Sequence, residues 1–179
     1  MKPYATLLLL LVFANVYAQD DNKSSGLFYK ISLATTLTVN EDFTFGDDTT
    51  ERFFRTSAFF LNNTVGFQFD NRSALGLNTE YNWHSESGLQ FFPVHLSFQY
   101  NIFDFDDTLF IRGSYGRLVG VTNDFEKGTL YKVGVGARLF DDNYKNSWLI
   151  GVDFTRKRFG FRQLEKLSSV SFFLEFMLF

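Results

Sequence analysis

The sequence predicts an all-β fold, an eight-stranded antiparallel up-and-down transmembrane β-barrel, and three observations carry that prediction. From Leu27 to Phe179 apolar and polar residues alternate in eight runs, each near the roughly ten residues of a spanning strand. A segment laid out like a secretory signal precedes them. Aromatic residues make up 20% of the chain, with 25 Phe, 8 Tyr and 2 Trp. A lipid-facing surface with aromatic girdles uses such a content, whereas a soluble domain of this size has little room to hide it.

Residues 1–18 read as a signal peptide. Lys2 supplies the positive end, Leu7 to Phe13 the short apolar stretch, and Val16-Tyr17-Ala18 a small residue suited to cleavage before Gln19. The apolar stretch is well short of the roughly 20 residues of a membrane helix. Residues 19–26 are a short, polar periplasmic lead-in, and residues 27–179 form the barrel domain. There is no cysteine, so neither a lipid anchor on a cysteine nor a disulfide framework is expected. Without Lys2 the chain holds 16 Lys and Arg against 20 Asp and Glu, a formal charge of −4, which gives no footing for nucleic acid. After the signal, no apolar run of about 18 residues occurs. Lipid demands that every backbone polar group be paired internally, so a spanning chain without helices must close into a barrel.

Successive strand residues face opposite sides, and each run can be split accordingly. The first strand, 27–39, sets Leu27, Tyr29, Ile31, Leu33, Leu37 and Val39 against Lys30, Ser32, Ala34, Thr36 and Thr38. The acidic segment Asn40 to Glu51 leads to the second, 52–69, where Phe59, Leu61, Val65, Phe67 and Phe69 face out with Asn63 as a polar blemish. Asp70-Asn71-Arg72-Ser73 is a tight turn by composition. The third strand is the cleanest: Leu75, Leu77, Thr79, Tyr81 and Trp83 oppose Ala74, Gly76, Asn78, Glu80, Asn82 and His84. The fourth, 89–103, sends Phe92, Val94, Leu96, Phe98, Tyr100 and Ile102 outward. It carries Pro93 near its loop end, where a lost ladder bond is tolerable. The fifth, 108–118, sends out Leu109, Ile111 and Tyr115, and sends in Phe110, Arg112, Ser114 and Gly116. The sixth, 129–140, opposes Tyr131, Val133, Val135, Ala137 and Leu139 to Lys132, Gly134, Gly136 and Arg138. The seventh, 147–155, sends out Trp148, Ile150, Val152 and Phe154, with Gly151 and Asp153 inward. A basic loop from Arg156 to Leu167 follows, and the eighth strand, 168–179, sends out Val170, Phe172, Leu174, Phe176 and Leu178.

Parity alone does not say which face meets lipid, since a soluble lipocalin has eight alternating strands with the apolar face inward. The polar face decides. On a soluble barrel it would be rich in Lys and Glu, but here it mixes Gly, Ala, Ser, Asn and a few charges, as a crowded lumen requires. The Gly-x-Trp that lipocalins usually carry near the first strand is absent. The connections after the second, fourth and sixth strands are short, and those after the first, fifth and seventh are longer, the brief one after the third being the exception. That places both termini on the periplasmic side.

The motifs Phe69-Asp70-Asn71-Arg72-Ser73-Ala74-Leu75-Gly76-Leu77, Phe92-Pro93-Val94 with Gln99-Tyr100, and Val133-Gly134-Val135-Gly136-Ala137-Arg138, together with the terminal Phe179, carry a resemblance across the whole mature chain. It resembles the small outer-membrane barrels of the OmpA/OmpX type, in particular the eight-stranded "outer membrane protein β-barrel domain" or porin-family proteins of Bacteroidetes. The resemblance implies residence in the cell outer membrane. Its partners would be outer-membrane lipid or lipopolysaccharide and the barrel-insertion machinery, the chain acting as a monomer without nucleic acid, cofactor or metal. Phe179 resembles the signal that the insertion machinery reads. Its phase is that of Glu175 and Met177, so either the signal is not used strictly or a bulge lies near the end.

Inward charges are candidate functional groups. Lys30, Glu80, Arg112, Arg138, Asp153 and Glu175 lie within the lower part of the barrel, and strand order makes Glu175 a neighbour of Lys30 and Asp153. An eight-stranded interior is only wide enough for side chains to fill, and buried charges need partners. A structural ion-pair plug is the expected role; a gated ion path and acid/base chemistry on an inward carboxylate pair are the alternatives. The external loops offer a further class. Arg156, Lys157, Arg158, Arg162 and Lys166 make a basic loop able to contact lipopolysaccharide phosphates, or to pair with the acidic Asn40–Glu51 segment. An enzyme is not expected. His95-Leu96-Ser97 resembles the His-x-Ser of lipid A deacylases, but the acid required about a dozen residues on would fall at Leu109, and His95 and Ser97 both face the lumen. The expected function is structural or surface-interacting with a largely plugged lumen; the runner-up is a small passive channel.

Overall fold

The computed structural model describes residues 25–39, 54–85, 88–103, 108–122, 124–141 and 146–179, excluding the side chains of 38, 39 and 54–57. The signal peptide, most of the lead-in and the acidic segment lie outside the described residues. Alternation becomes strand along nearly all the rest: β1 (Gly26–Val39), β2 (Phe54–Gln68), β3 (Ser73–His84), β4 (Gln90–Phe91), β5 (Pro93–Asn101), β6 (Thr108–Leu118), β7 (Gly128–Phe140), β8 (Asn146–Phe159) and β9 (Glu165–Leu178). Gly26, assigned by sequence to the lead-in, opens β1. β4 and β5 form one spanning stretch broken at Phe92, because Pro93 has no N–H to continue the ladder. Eight spanning segments result.

Every neighbour is antiparallel, and the sheet closes through β1 against both β2 and β9. Closure can be followed along one circuit: Gly26 opposite Gln68, then Ala74, Gln99, Arg112, Gly134, Asp153, Ser171, and back to β1 at Thr36. The circuit returns ten residues along the starting strand, the stagger that closing tilted strands demands. An even stagger preserves parity, so inward residues meet inward residues all the way round. Among the described residues the one shift of register, between Thr36 and Leu37 opposite β2, is a bulge that the alternation does not display.

The short β2–β3 turn is fixed by Asp70, whose Oδ1 accepts the backbone N–H of Arg72 at 2.8 Å and of Ser73 at 2.6 Å. These two donors hold its carboxyl below the usual carboxylate range. At the opposite end of the barrel, β8 and β9 run further than the sequence reading has them. Gly160–Leu164 alone joins them, tightened by left-handed backbone at Gly160, Arg162 and Gln163.

Inside, aromatic rings fill what small residues leave. Gly136 and Gly151 face each other across β7 and β8. A Cβ on either would meet backbone and the Phe173 ring, and one on Gly136 would also meet Phe110. The apolar interior falls into two clusters. Phe28, Ala74, Phe110, Leu149, Phe173 and Met177 lie towards the termini, with Phe179 packed against them. Phe91, Leu118, Leu130 and Phe159 lie towards the other end. Outside, Ile31, Leu33, Val65, Leu77, Leu96, Val133, Val135 and Ile150 are all exposed. Asn63, the blemish on that wall, accepts a hydrogen bond from the Tyr29 hydroxyl at 2.6 Å.

Candidate functional site

Between the two apolar clusters the strands bring six charged groups into two ion-paired sets that face each other across one small cavity. Arg112, inward on β6, donates from Nε to Asp153 Oδ1 at 2.8 Å and from Nη2 to Oδ2 at 2.6 Å, a bidentate fork. Its Nη1 donates to Glu175 Oε1 at 2.6 Å, and its guanidinium stacks 3.8 Å from the Phe173 ring centroid. Lys30 Nζ approaches the other Glu175 oxygen at 3.5 Å and donates to Gln99 at 3.4 Å. Across the lumen, Lys132 donates to Glu80, and His95 Nε2 lies 3.4 Å from the same carboxylate oxygen. Three basic side chains, Arg112, Lys30 and Lys132, therefore face three carboxylates, all nearly buried, in a medium where unlike charges attract strongly and unpaired ones are costly. The space left among them is a cavity of about 10 Å³ lined by Asn62, Glu80, Arg112, Lys132, Asp153 and Glu175, about the volume one water needs. Glu80 and Asn62, which line it, each keep one oxygen without a hydrogen-bond partner among the described groups.

Of the six residues singled out by sequence, Lys30, Glu80, Arg112, Asp153 and Glu175 thus share the central layer. Arg138 is set apart towards the termini, where it donates to Ser147 at 2.9 Å and Gln68 at 3.0 Å and stacks on Phe140 and Phe179. The member missing from the sequence list is Lys132. Its phase, shared with Gly134 and Arg138, already marked it as inward; only the three-dimensional register supplies its partner Glu80 on a strand across the barrel.

The five cations expected in one basic loop do not share a loop. Arg156, Lys157 and Arg158 belong to β8 and Lys166 to β9, which leaves only Arg162 in the connection. Parity divides them further. Lys157 continues the inward series of Asp153 and Thr155, and is fully buried. Its Nζ lies 3.1 Å from His84 Nε2 and over the rings of Phe60 and Phe91, at 4.4 and 4.7 Å from their centroids. No described carboxylate pairs with it. Arg158, Arg162 and Lys166 are exposed. Phe179 keeps the inward phase, edge-on to Phe28 at 6.1 Å. Both ladders of β9 run without a shift, so no described bulge explains its phase.

The His-x-Ser pair is inward, as its phase requires. Ser97 Oγ accepts from Asn78 Nδ2 at 2.8 Å rather than meeting His95, while Leu109 is on the outer wall. A nucleophile needs a base within hydrogen-bond reach, and His95 is instead directed at Glu80. Among the described residues no group of three or more metal-ligating side chains is assembled, and no helix is long and apolar enough to cross a membrane.

No protein-family model matches the chain, and no curated protein matches it by sequence. Solved structures do. The barrel is similar to that of Neisserial surface protein A, with a TM-score of 0.63 at 9% identity, covering 85% of this chain and 96% of that one. The chain has the fold of the small OmpA/OmpX-type barrels. The N-terminal β-barrel domain of Pseudomonas aeruginosa OprF aligns over 84% of this chain and 97% of that domain, with a TM-score of 0.47 at 9% identity.

Proposed function

We propose that this chain is an exported protein that spans the outer membrane as a monomeric barrel with a closed interior, in a structural or surface-interaction role. The observation that carries the closed interior is its three-tier filling: an apolar cluster at each end and charge-balanced ion pairs between them. An eight-stranded barrel holds side chains or one small ligand, not an aqueous channel. The outer wall supports membrane residence, being aliphatic at mid-height and aromatic towards both ends. Trp148 and Phe176 pair near the termini, and Tyr115 and Tyr131 near the other end. The signal-like residues 1–18 support export. The short turn at Asp70 supports a periplasmic position for the termini. The structural neighbour named as a surface protein agrees with this reading.

Planar-bilayer recording of the purified protein tests it. Flat traces under applied voltage are expected. Discrete conductance steps would overturn the closed interior in favour of a small passive channel, and release of acyl chains from lipid A would overturn the non-enzymatic role.

A further inference from the structure

On four adjacent strands the outer wall changes chemistry at the end away from the termini. Along β8 the outward residues run Trp148, Ile150, Val152, Phe154, then Arg156 and Arg158. On β6, Leu109, Ile111 and Tyr115 give way to Arg117, and on β9, Phe172 and Val170 give way to Lys166. The ladders put these changes on one rung: Arg117 opposite Thr129, Thr129 opposite Arg158, Arg158 opposite Lys166. With strands about 4.8 Å apart, the rung spans about 15 Å. Arg117, Arg158 and Lys166 are exposed, whereas the ion pairs that join Lys30, Arg112 and Lys132 to Glu80, Asp153 and Glu175 lie inside the barrel. Glu165, next to Lys166, is turned to the other phase and lies alongside Gly160. Directly below the rung, Tyr115 and Tyr131 stack with centroids 5.1 Å apart, the amphipathic rings that belong at headgroup level. Among the described side chains, the upper outer wall on the other side of the barrel carries Phe59, Trp83 and Phe92. Sequence reading misses Arg117 here and miscasts Lys157.

We infer that this rung docks the phosphate groups of membrane lipid, lipopolysaccharide in the outward leaflet, with acyl chains lying on the apolar wall beneath. Guanidinium forks match phosphate oxygens bidentately, and the continuity of cations, tyrosines and aliphatic side chains matches the order phosphate, interface, acyl chain. A soluble phosphate would need only the cations. The inference rests on the outer-membrane reading above.

The test uses the protein reconstituted in phosphatidylcholine vesicles, with the variant Arg117→Gln/Arg158→Gln/Lys166→Gln beside it and Arg72→Gln, at the termini end, as control. Binding of purified lipopolysaccharide is measured with and without excess inorganic phosphate, and insertion by quenching of tryptophan emission with brominated lipid. The triple variant is expected to insert normally and to bind lipopolysaccharide about a hundredfold more weakly, while Arg72→Gln binds as the parent does. Normal insertion with unchanged binding overturns this inference alone. So does competition by inorganic phosphate at matched concentration, which would make the rung a free-anion site. So does a variant that unfolds more readily without lipopolysaccharide present, which would assign the cations to the chain's own acidic 40–51 segment. Absence of quenching in the parent protein overturns the membrane reading and this inference with it.

Discussion

Lys157 and Arg158 are neighbours in the chain and opposites in the fold. Lys157 is 0% exposed, held among Phe60, Phe91 and His84 inside the barrel, while Arg158 stands on the outer wall above a belt of apolar side chains. One step of strand alternation separates the two environments. The inner wall tolerates charge where a partner is within reach, as the Arg112 network does with two carboxylates. The outer wall carries it only beyond the apolar belt, where, on the proposed membrane reading, water and headgroups supply the partners. A charge is therefore read by its wall and its height together.

That contrast can be broken in three places. Arg112→Ala should cost most, about 3–5 kcal/mol, because it strands Asp153 in the interior and leaves Glu175 with Lys30 alone. Urea unfolding of the vesicle-inserted protein measures it, and a loss below about 1 kcal/mol, the worth of a surface pair, would deny the network its role. Val133→Arg puts a cation on the outer wall at mid-height. It should cost about 2–4 kcal/mol in lipid by the same titration, and a neutral result would mean that Val133 faces water. Lys157→Met should cost least, within about 1 kcal/mol of the parent, since it removes one hydrogen bond to His84 and leaves no stranded carboxylate. A loss as large as that of Arg112→Ala would place an acidic partner against Lys157.

The alternation in β3 and β7 made strand identity, inward parity and the barrel class readable from residues alone, because each is a property of one strand. What is shared between strands was less legible. The pairing of Lys132 with Glu80 depends on a register set by ten residues of stagger, which no single run of sequence displays. The rings of Phe28, Phe110 and Phe173 look out of place on a polar face until Gly66, Gly136 and Gly151 are seen beneath them on neighbouring strands. The basic stretch after Phe154 reads as a loop because its charges mask the continuing period of two; in the barrel that period simply carries on through Phe159.

Which wall meets lipid is reported directly by the two tryptophans. Trp83 and Trp148 stand on the outer wall at opposite ends of the barrel, 48% and 49% exposed, and are the only two in the chain. In vesicles of lipids brominated at different acyl positions, both should be quenched, most strongly by bromines near the headgroup end of the chain. Emission unaffected by bromine at any depth would contradict the outward-apolar barrel.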